Sequence, residues 1–331
     1  MTRVAVIGSG SWGTAIARLL GHKGCEVRLW SYNPDTPSYI NAEHKNPRYL
    51  SDVELPNVVC SNSFSEVLDG AEAVAVVCPS SNLREVAAQM APHLAERTPV
   101  VVLSKGVEQG TGLTMIGVLE DVLGHKERLA CLSGPNHAEE VSREMYAATV
   151  VASTNETCAE YFQELFATSY FRVYTSRDPI GVEICAAAKN IVAIANGMCV
   201  AMELGDNASA ALVTRGVAEI TRLVTALGGD ALTCMGLAGM GDLVVTCNSP
   251  HSRNRSLGEL LVAGGTLEEF QEKTHMVAEG AVACRTVTDL ARTLHVEMPI
   301  AEAVRKVLWE ELDPHEAVKL LYGRPSKAEQ R

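Results

Sequence analysis

Along its first half the chain alternates short apolar, β-branched runs with longer stretches in which apolar residues recur at helical spacing. The runs cover residues 3–7, 26–30, 73–77, 100–103, 130–132 and 149–152, and residues 82–94 and 113–123 are two of the helical stretches between them. Near-continuous apolar runs predict strands buried on both faces, and their alternation with helices predicts a parallel sheet covered on both sides. Past about Pro179 the strand-like runs nearly vanish, and long segments rich in Ala, Leu, Val and Glu take over. The expected fold is α/β: a doubly wound parallel-sheet domain over residues 1–178, then a mostly α-helical domain over 179–331. The first helix of the second part, expected over 181–204, is apolar on almost every side, which predicts burial in a domain core or at a subunit interface. Glu183, Lys189, Asn190, Asn196 and Glu203 lie within it and argue against a membrane span.

The first strand runs directly into Gly8, Gly10 and Gly13, and a helical pattern begins at once afterwards. Each glycine has a task in a strand-turn-helix unit that binds a dinucleotide, the Rossmann-type arrangement. Gly8 permits the sharp turn, Gly10 lets the backbone approach a pyrophosphate, and Gly13 lets the helix pack closely on the strand. The phosphates then meet a helix N-terminus, where unpaired amides and the helix dipole favour negative charge.

Composition narrows the class of partner. A chain of 331 residues exceeds the usual size of a single core, which favours two domains. The formal net charge of −12 disfavours nucleic acid or an anionic membrane as the main partner. An anionic substrate must therefore be held by a local basic cluster against the global field. The apolar run before Gly8 is too short for a signal-peptide core or a bilayer span, so a cytoplasmic location is expected. Ten cysteines show no CxxC pair, and Cys78, Cys131, Cys185 and Cys199 lie inside apolar runs, as small buried hydrophobes of a reducing compartment do. The nine histidines show no HxxxH spacing, and no metal site is expected.

Lys189 and Asn190 sit midway along the apolar helix and are the strongest catalytic candidates on physical grounds. Burying a lysine is costly, and desolvation lowers its pKa, which prepares an amine to accept a proton from a substrate hydroxyl; the alternative is a stem that snorkels to the surface. Asn196 lies seven residues on, about two turns away at ~3.6 residues per turn, and is expected to line the same site. Residues 236–255 form a second constellation, in which glycines bring the backbone close to a neighbour and Asp242 stands beside an apolar run. Ser252, Arg253 and Asn254 follow as a polar cluster suited to phosphate, since arginine matches phosphate bidentately. Lys105 follows the run at 100–103, at the carboxyl end of a strand, where ligands of open α/β sheets bind. In the stretch Ser133 to Ala138, Pro135 fixes the backbone, Gly134 would let a substrate approach the main chain, and His137 reads as structural more readily than as an acid or base.

With these residues laid out, the chain resembles the bacterial NAD(P)-dependent glycerol-3-phosphate dehydrogenases nearly end to end. The stretches that carry the resemblance are GSGSWGTAIA, NPRYL with a following LPN, LSKGVEQGTG, SGPNHAEEV, GVEICAAAKN, AGMGDLVVTCNSPHSRNR, VAEG and LYGRPSKAE. By that resemblance Lys189 is the proton acceptor, and Lys105, Gly134, Asn136, Asp242, Ser252, Arg253 and Asn254 surround the substrate. Ser11, Trp12, Ala138, Val277 and Glu279 would contact the cofactor together with the glycine turn, and Lys105 and Arg253 would lie near both ligands. The implied reaction is hydride transfer between sn-glycerol 3-phosphate and NAD or NADP, giving dihydroxyacetone phosphate and serving phospholipid synthesis. A homodimer is the expected assembly.

The chain departs from the family pattern in places. The second strand ends in Trp30, Ser31, Tyr32, Asn33, with neither the acid that would bind ribose hydroxyls nor a base for a 2′-phosphate, so coenzyme preference stays open and Tyr32 takes the adenosine end. Asn136 and His137 replace the small hydroxyl residue and the aromatic expected after Ser-Gly-Pro; Asn136 can still donate to a substrate oxygen. Two other readings compete: a sibling dehydrogenase acting on a different β-hydroxy acid or phosphorylated alcohol, and a nucleotide-sensing protein without catalysis, which would have lost Lys189 or Asp242.

Overall fold

The structure is a computed structural model that describes residues 1–250, 252–274, 279–326 and 328–329. The chain divides into two compact units, Met1–Glu183 and Ile184–Arg331. Strands β1 (Arg3–Ile7), β2 (Glu26–Trp30), β3 (Val58–Ser61), β4 (Ala73–Val76), β5 (Val100–Val102), β6 (Leu129–Ser133), β7 (Ala147–Ala152) and β8 (Phe171–Ser176) all belong to the first unit. Its helices are α1 (Ser11–His22), α2 (Thr36–Glu43), α3 (Phe64–Leu68), α4 (Leu83–Met90), α5 (Met115–Leu123), α6 (Ala138–Val141) and α7 (Glu156–Phe166).

The strands form one sheet in the order β3-β2-β1-β4-β5-β6-β7-β8. The chain reverses direction across the sheet between β1 and β4, and this switch point is where doubly wound sheets bind their ligands. Pairing is parallel from β3 through β6 and again between β7 and β8, but β6 and β7 are antiparallel. A parallel return needs a crossover of a dozen or more residues, usually a full helix. Only the four-residue α6 lies between β6 and β7, whereas the 11-residue α7 carries the chain from β7 back to a parallel β8.

Two strands escape the pattern of apolar runs, and both are sheet edges. In β8 the burial alternates, with Phe171 and Val173 inward and Arg172 and Tyr174 outward. In β3 Val59 is exposed between buried Val58 and Cys60. Edge strands with one solvated face show period-two alternation in place of a continuous apolar run. Central strands β1, β4 and β5 are buried almost throughout, and their valines and alanines meet α1, α7 and the β8 side chains in one apolar core.

The second unit is helical. Helix α8 (Pro179–Ala201) begins in the first unit and runs into the second. There follow α9 (Asp206–Ala226), α10 (Asp242–Asn248), α11 (Arg253–Val262), α12 (Leu267–Thr274), α13 (Glu279–Thr293), α14 (Pro299–Trp309) and α15 (Pro314–Tyr322). Among the described residues α8 is the one helix long and apolar enough to cross a membrane, and 83% of its most apolar window is buried inside the protein. Every residue from 181 to 199 is buried. Neighbouring helices approach it backbone to backbone: a Cβ at Gly258 of α11 would stand 2.1 Å from the Ile194 carbonyl oxygen. That clash makes the glycine a condition of the helix contact.

Two buried glutamates cap helices other than their own. Glu183 Oε1 accepts from the Ile116 amide at 2.9 Å at the start of α5, within the first unit. Glu219 of α9 accepts from the amides of Ile300 and Ala301 at 2.7 and 3.3 Å at the start of α14, within the second. Both meet amides that have no partner inside their own helix. Burial pushes each carboxyl up to about 7.

Candidate active site

In the first unit the glycine turn joins β1 to α1 at the switch point. Gly8 has φ +124°, and a Cβ on it would lie 2.7 Å from the Val77 carbonyl oxygen. A Cβ on Gly13 would lie 1.8 Å from the Gly8 carbonyl oxygen, so these two glycines are required by the chain's own backbone. At Gly10, in contrast, an added Cβ meets nothing within 4 Å. Gly10 caps α1 without any side-chain hydrogen bond, so open space lies over the N-terminus of a 12-residue helix. A dinucleotide pyrophosphate fits this arrangement, because it needs close approach to backbone and unsatisfied amides.

Around this turn, Ser11 opens α1, and Trp12 is half-buried with its ring tilted against Phe171 at 6.5 Å. Tyr32, after β2, is 88% exposed, so its ring is available to a ligand. Lys105 is half-buried in the loop after β5. In the same loop the Ser104 hydroxyl donates to the Cys78 carbonyl after β4, tying the ends of the two strands together.

The stretch after β6 is held by β7. A Cβ at Gly134 would stand 2.9 Å from Thr149 Cα, so the backbone that closely approaches this glycine is the neighbouring strand's. Asn136 Nδ2 donates to the Ala148 carbonyl at 3.0 Å, while its Oδ1 is buried with no partner among the described residues. Nδ2 carries a second N–H beyond the Ala148 bond, so the amide can still donate as expected, and Oδ1 adds an acceptor. An orphaned buried acceptor is costly and marks a place for a donor. Ala138 is buried as the first residue of α6.

The second unit assembles the reactive cluster. Lys189 is 6% exposed, and its Nζ lies 2.5 Å from Asp242 Oδ1 and 2.8 Å from Thr246 Oγ1. The ammonium therefore does not snorkel. Asp242 is the first residue of α10 and follows a π-helical turn over Leu237–Gly241, whose Gly239 presses against the Cys234 backbone. The neighbour that this glycine meets is thus local chain. Thr246, one turn on, donates its hydroxyl to the Asp242 carbonyl at 2.6 Å, which leaves its lone pairs for the ammonium. Ion pairing and hydrogen bonding offset the desolvation of the buried charge. Thr246 was not singled out by the sequence; its signal is the i,i+4 spacing from Asp242 on one face of α10.

The asparagines of α8 do structural work. Asn196 Nδ2 donates to the Cys247 carbonyl at 3.1 Å, and its Oδ1 accepts from Ser209 Oγ at 2.5 Å. It is 1% exposed, and it anchors α10 and α9 in place of lining the reactive cluster. Asn190 Oδ1 accepts from Asn254 Nδ2 at 3.0 Å, and Asn254 Oδ1 accepts from the Gly280 amide at 3.0 Å. This chain of bonds ties α8, α11 and α13 together.

Within Ser252, Arg253 and Asn254 the roles separate. Ser252 Oγ caps α11 by accepting from the Arg255 amide at 3.3 Å, and Asn254 is buried in the bonds just described. Arg253, the first residue of α11, is exposed between buried Ser252 and Asn254. Glu279, exposed, opens α13, and Val277 lies outside the described residues. All ten cysteines are buried and none is in a disulfide; burial pushes the thiols of Cys60, Cys78, Cys247 and Cys284 up to about 12.

Comparison with known proteins agrees with this architecture. Residues 3–159 match the N-terminal part, and residues 178–319 the C-terminal part, of NAD-dependent glycerol-3-phosphate dehydrogenase. A glycerol-3-phosphate dehydrogenase (NAD(P)+) of Nocardia farcinica is 46% identical over 99% of this chain and its own full length. One from Salinibacter ruber is 47% identical over 99% of this chain and 96% of its own. The crystal structure of a glycerol-3-phosphate dehydrogenase from Coxiella burnetii superposes with a TM-score of 0.93 at 38% identity, covering 98% of this chain and 99% of that one. The chain belongs to the NAD(P)-dependent glycerol-3-phosphate dehydrogenase family.

Proposed function

We propose that residues 1–178 supply most of the coenzyme contacts and residues 179–331 the proton-transfer group and most of the substrate contacts in the family's reaction. That reaction is reversible hydride transfer between C2 of sn-glycerol 3-phosphate and NAD(P), giving dihydroxyacetone phosphate, and the chain is an oxidoreductase of this type. The observation that carries the assignment of roles is the buried Lys189 ammonium set between Asp242 and Thr246.

The nicotinamide, when bound, supplies the hydride donor in reduction and its acceptor in oxidation. In reduction the Lys189 ammonium polarises the ketone and gives its proton to the C2 oxygen. In oxidation the Lys189 amine takes the C2 hydroxyl proton, and Asp242 stabilises the ammonium as it forms. Thr246 and Asp242 also fix the direction of Nζ, which matters because general acid and base catalysis requires hydrogen-bond reach to the reacting oxygen. Arg253 and the N-terminus of α11 take the substrate phosphate, and binding energy from that remote group holds the reacting carbon in place. Lys105, Gly134 and Asn136 complete the substrate contacts, the orphaned Asn136 Oδ1 as an acceptor, with Ser252 and Asn254 supporting the phosphate side.

Gly8, Gly10 and Gly13 cradle the pyrophosphate, Tyr32 takes the adenosine end, and Ser11, Trp12, Lys105, Ala138, Arg253, Val277 and Glu279 contact the coenzyme. A homodimer, a cytoplasmic location and a service to phospholipid synthesis complete the proposal; the burial of α8 within the chain and the net charge of −12 support a protein that works away from the bilayer.

The test is nicotinamide absorbance with dihydroxyacetone phosphate, with NADH and NADPH supplied separately. Oxidation of either is expected, and the ratio of the two rates gives the coenzyme preference that Tyr32 leaves open. Coenzyme binding without oxidation would overturn the assignment.

A further inference from the structure

Asn46 opens the stretch NPRYL, for which neither local chemistry nor the roles above provide a task. Its side chain is fully buried, and all its hydrogen-bonding capacity is used. Nδ2 donates to the Ser9 carbonyl at 2.9 Å and to Thr14 Oγ1 at 2.8 Å. Oδ1 accepts from the amides of Arg48 at 3.0 Å and Tyr49 at 3.2 Å. Ser9 is the residue between Gly8 and Gly10, and its own hydroxyl is tied to Ser31 Oγ at 2.8 Å, just past the end of β2.

The geometry of the peptide unit gives the Ser9 bond its meaning. The Ser9 carbonyl and the Gly10 amide belong to one trans peptide and point in opposite directions. A donor that fixes the carbonyl from inside the fold therefore aims the amide outward, on the side where Gly10 meets open space. Among the described residues neither the Gly10 nor the Ser11 amide has an acceptor. Thr14, buried on α1, reinforces the same carbonyl from 3.4 Å.

We propose that Asn46 is a positioning residue for the coenzyme: it sets the plane of the Ser9–Gly10 peptide for a dinucleotide phosphate and fastens the Arg48–Tyr49 segment beside the same turn. The proposal rests on the reading of Gly8 to Gly13 as the dinucleotide turn.

Asn46→Asp keeps the shape and replaces the donor NH2 with an oxygen that faces the Ser9 carbonyl. The expected result is a coenzyme KM, and an NADH dissociation constant measured by fluorescence, raised about tenfold or more. The turnover number at saturating coenzyme and the KM for dihydroxyacetone phosphate stay within about twofold. Asn46→Ala, which introduces no charge, is expected to act in the same direction and serves if the aspartate variant does not fold. Asn41→Ala is the control for simple loosening. Asn41 clamps Cys60 through bonds of 2.9 and 2.7 Å on the β3 side of the same unit, so its loss lowers the melting temperature without moving the coenzyme KM. Gly10→Asp, which places a carboxylate in the open space, separates the two levels. If it raises the coenzyme KM and the Asn46 variants do not, the Asn46 proposal falls alone; if it too has no effect, the assignment of the turn falls with it. A uniform change of both KM values and the turnover number in the Asn46 variants also overturns the proposal.

Discussion

The turn at Gly8 to Gly13 and the cluster at Lys189, Asp242 and Thr246 are built from opposite materials. The turn is almost all backbone: Gly8 and Gly13 are set by the main-chain atoms beside them, and what the turn offers a ligand at Gly10 is amides and space. The cluster is all side chain, with an ammonium, a carboxylate and a hydroxyl drawn from positions 53 and 57 residues apart and sealed from water. Holding phosphates calls for many weak, fixed donors, whereas moving one proton calls for a single group whose charge is controlled by its neighbours. If that contrast is correct, damage to one region should change binding and damage to the other should change turnover.

The sharpest break comes from Lys189→Ala. It should lower turnover by about 10³- to 10⁴-fold, the scale of a lost general acid or base. Asp242→Asn should lower turnover by about 10²-fold. It should also destabilise the fold by about 3–5 kcal/mol, because an ammonium is left buried without its counter-charge. Stopped-flow kinetics and urea titration read the two effects separately. Gly13→Ala tests the other region: its Cβ would lie 1.8 Å from the Gly8 carbonyl oxygen, so the turn must open. The coenzyme KM should rise by about tenfold or more, with a smaller change in turnover at saturation.

The smallest effect concerns Glu219, a control charge outside both regions. Its folded pKa of about 7 is raised by burial above the ordinary value of about 4.3. The stability it contributes is therefore fully present below about pH 4.3 and is lost as pH rises through about 7. Glu219→Gln keeps an acceptor for the α14 amides and removes the titration. The melting temperature of the variant minus that of the parent should grow as pH rises from about 5 to 8, by about 2–4 °C for each kcal/mol of difference. A difference independent of pH would mean that this carboxyl does not titrate in the window.

The same contrast explains what could be read from the chain. The glycine turn was legible because its residues are contiguous and each has a backbone reason to be small. Lys189 was legible as an anomaly, a charge in the middle of an apolar helix. Its partner Thr246 was not, since its only signal is the i,i+4 spacing from Asp242, which a threonine on a short helix shares with many surface positions. Asn190 and Asn196 stood out for the same reason as Lys189, yet their amides serve α11, α10 and α9, because a buried polar group can be satisfied by neighbouring helices as well as by a ligand. The edge strands β3 and β8 stayed hidden because half of each faces outward.

The most direct test of a coenzyme turn separable from a proton-transfer cluster is made on Lys189→Ala alone. NADH binding is titrated by fluorescence, and nicotinamide absorbance is then followed after dihydroxyacetone phosphate is added. The account predicts a dissociation constant within about twofold of the parent protein and oxidation slowed by about 10³- to 10⁴-fold. Oxidation at the parent rate, or loss of NADH binding together with turnover, would contradict it.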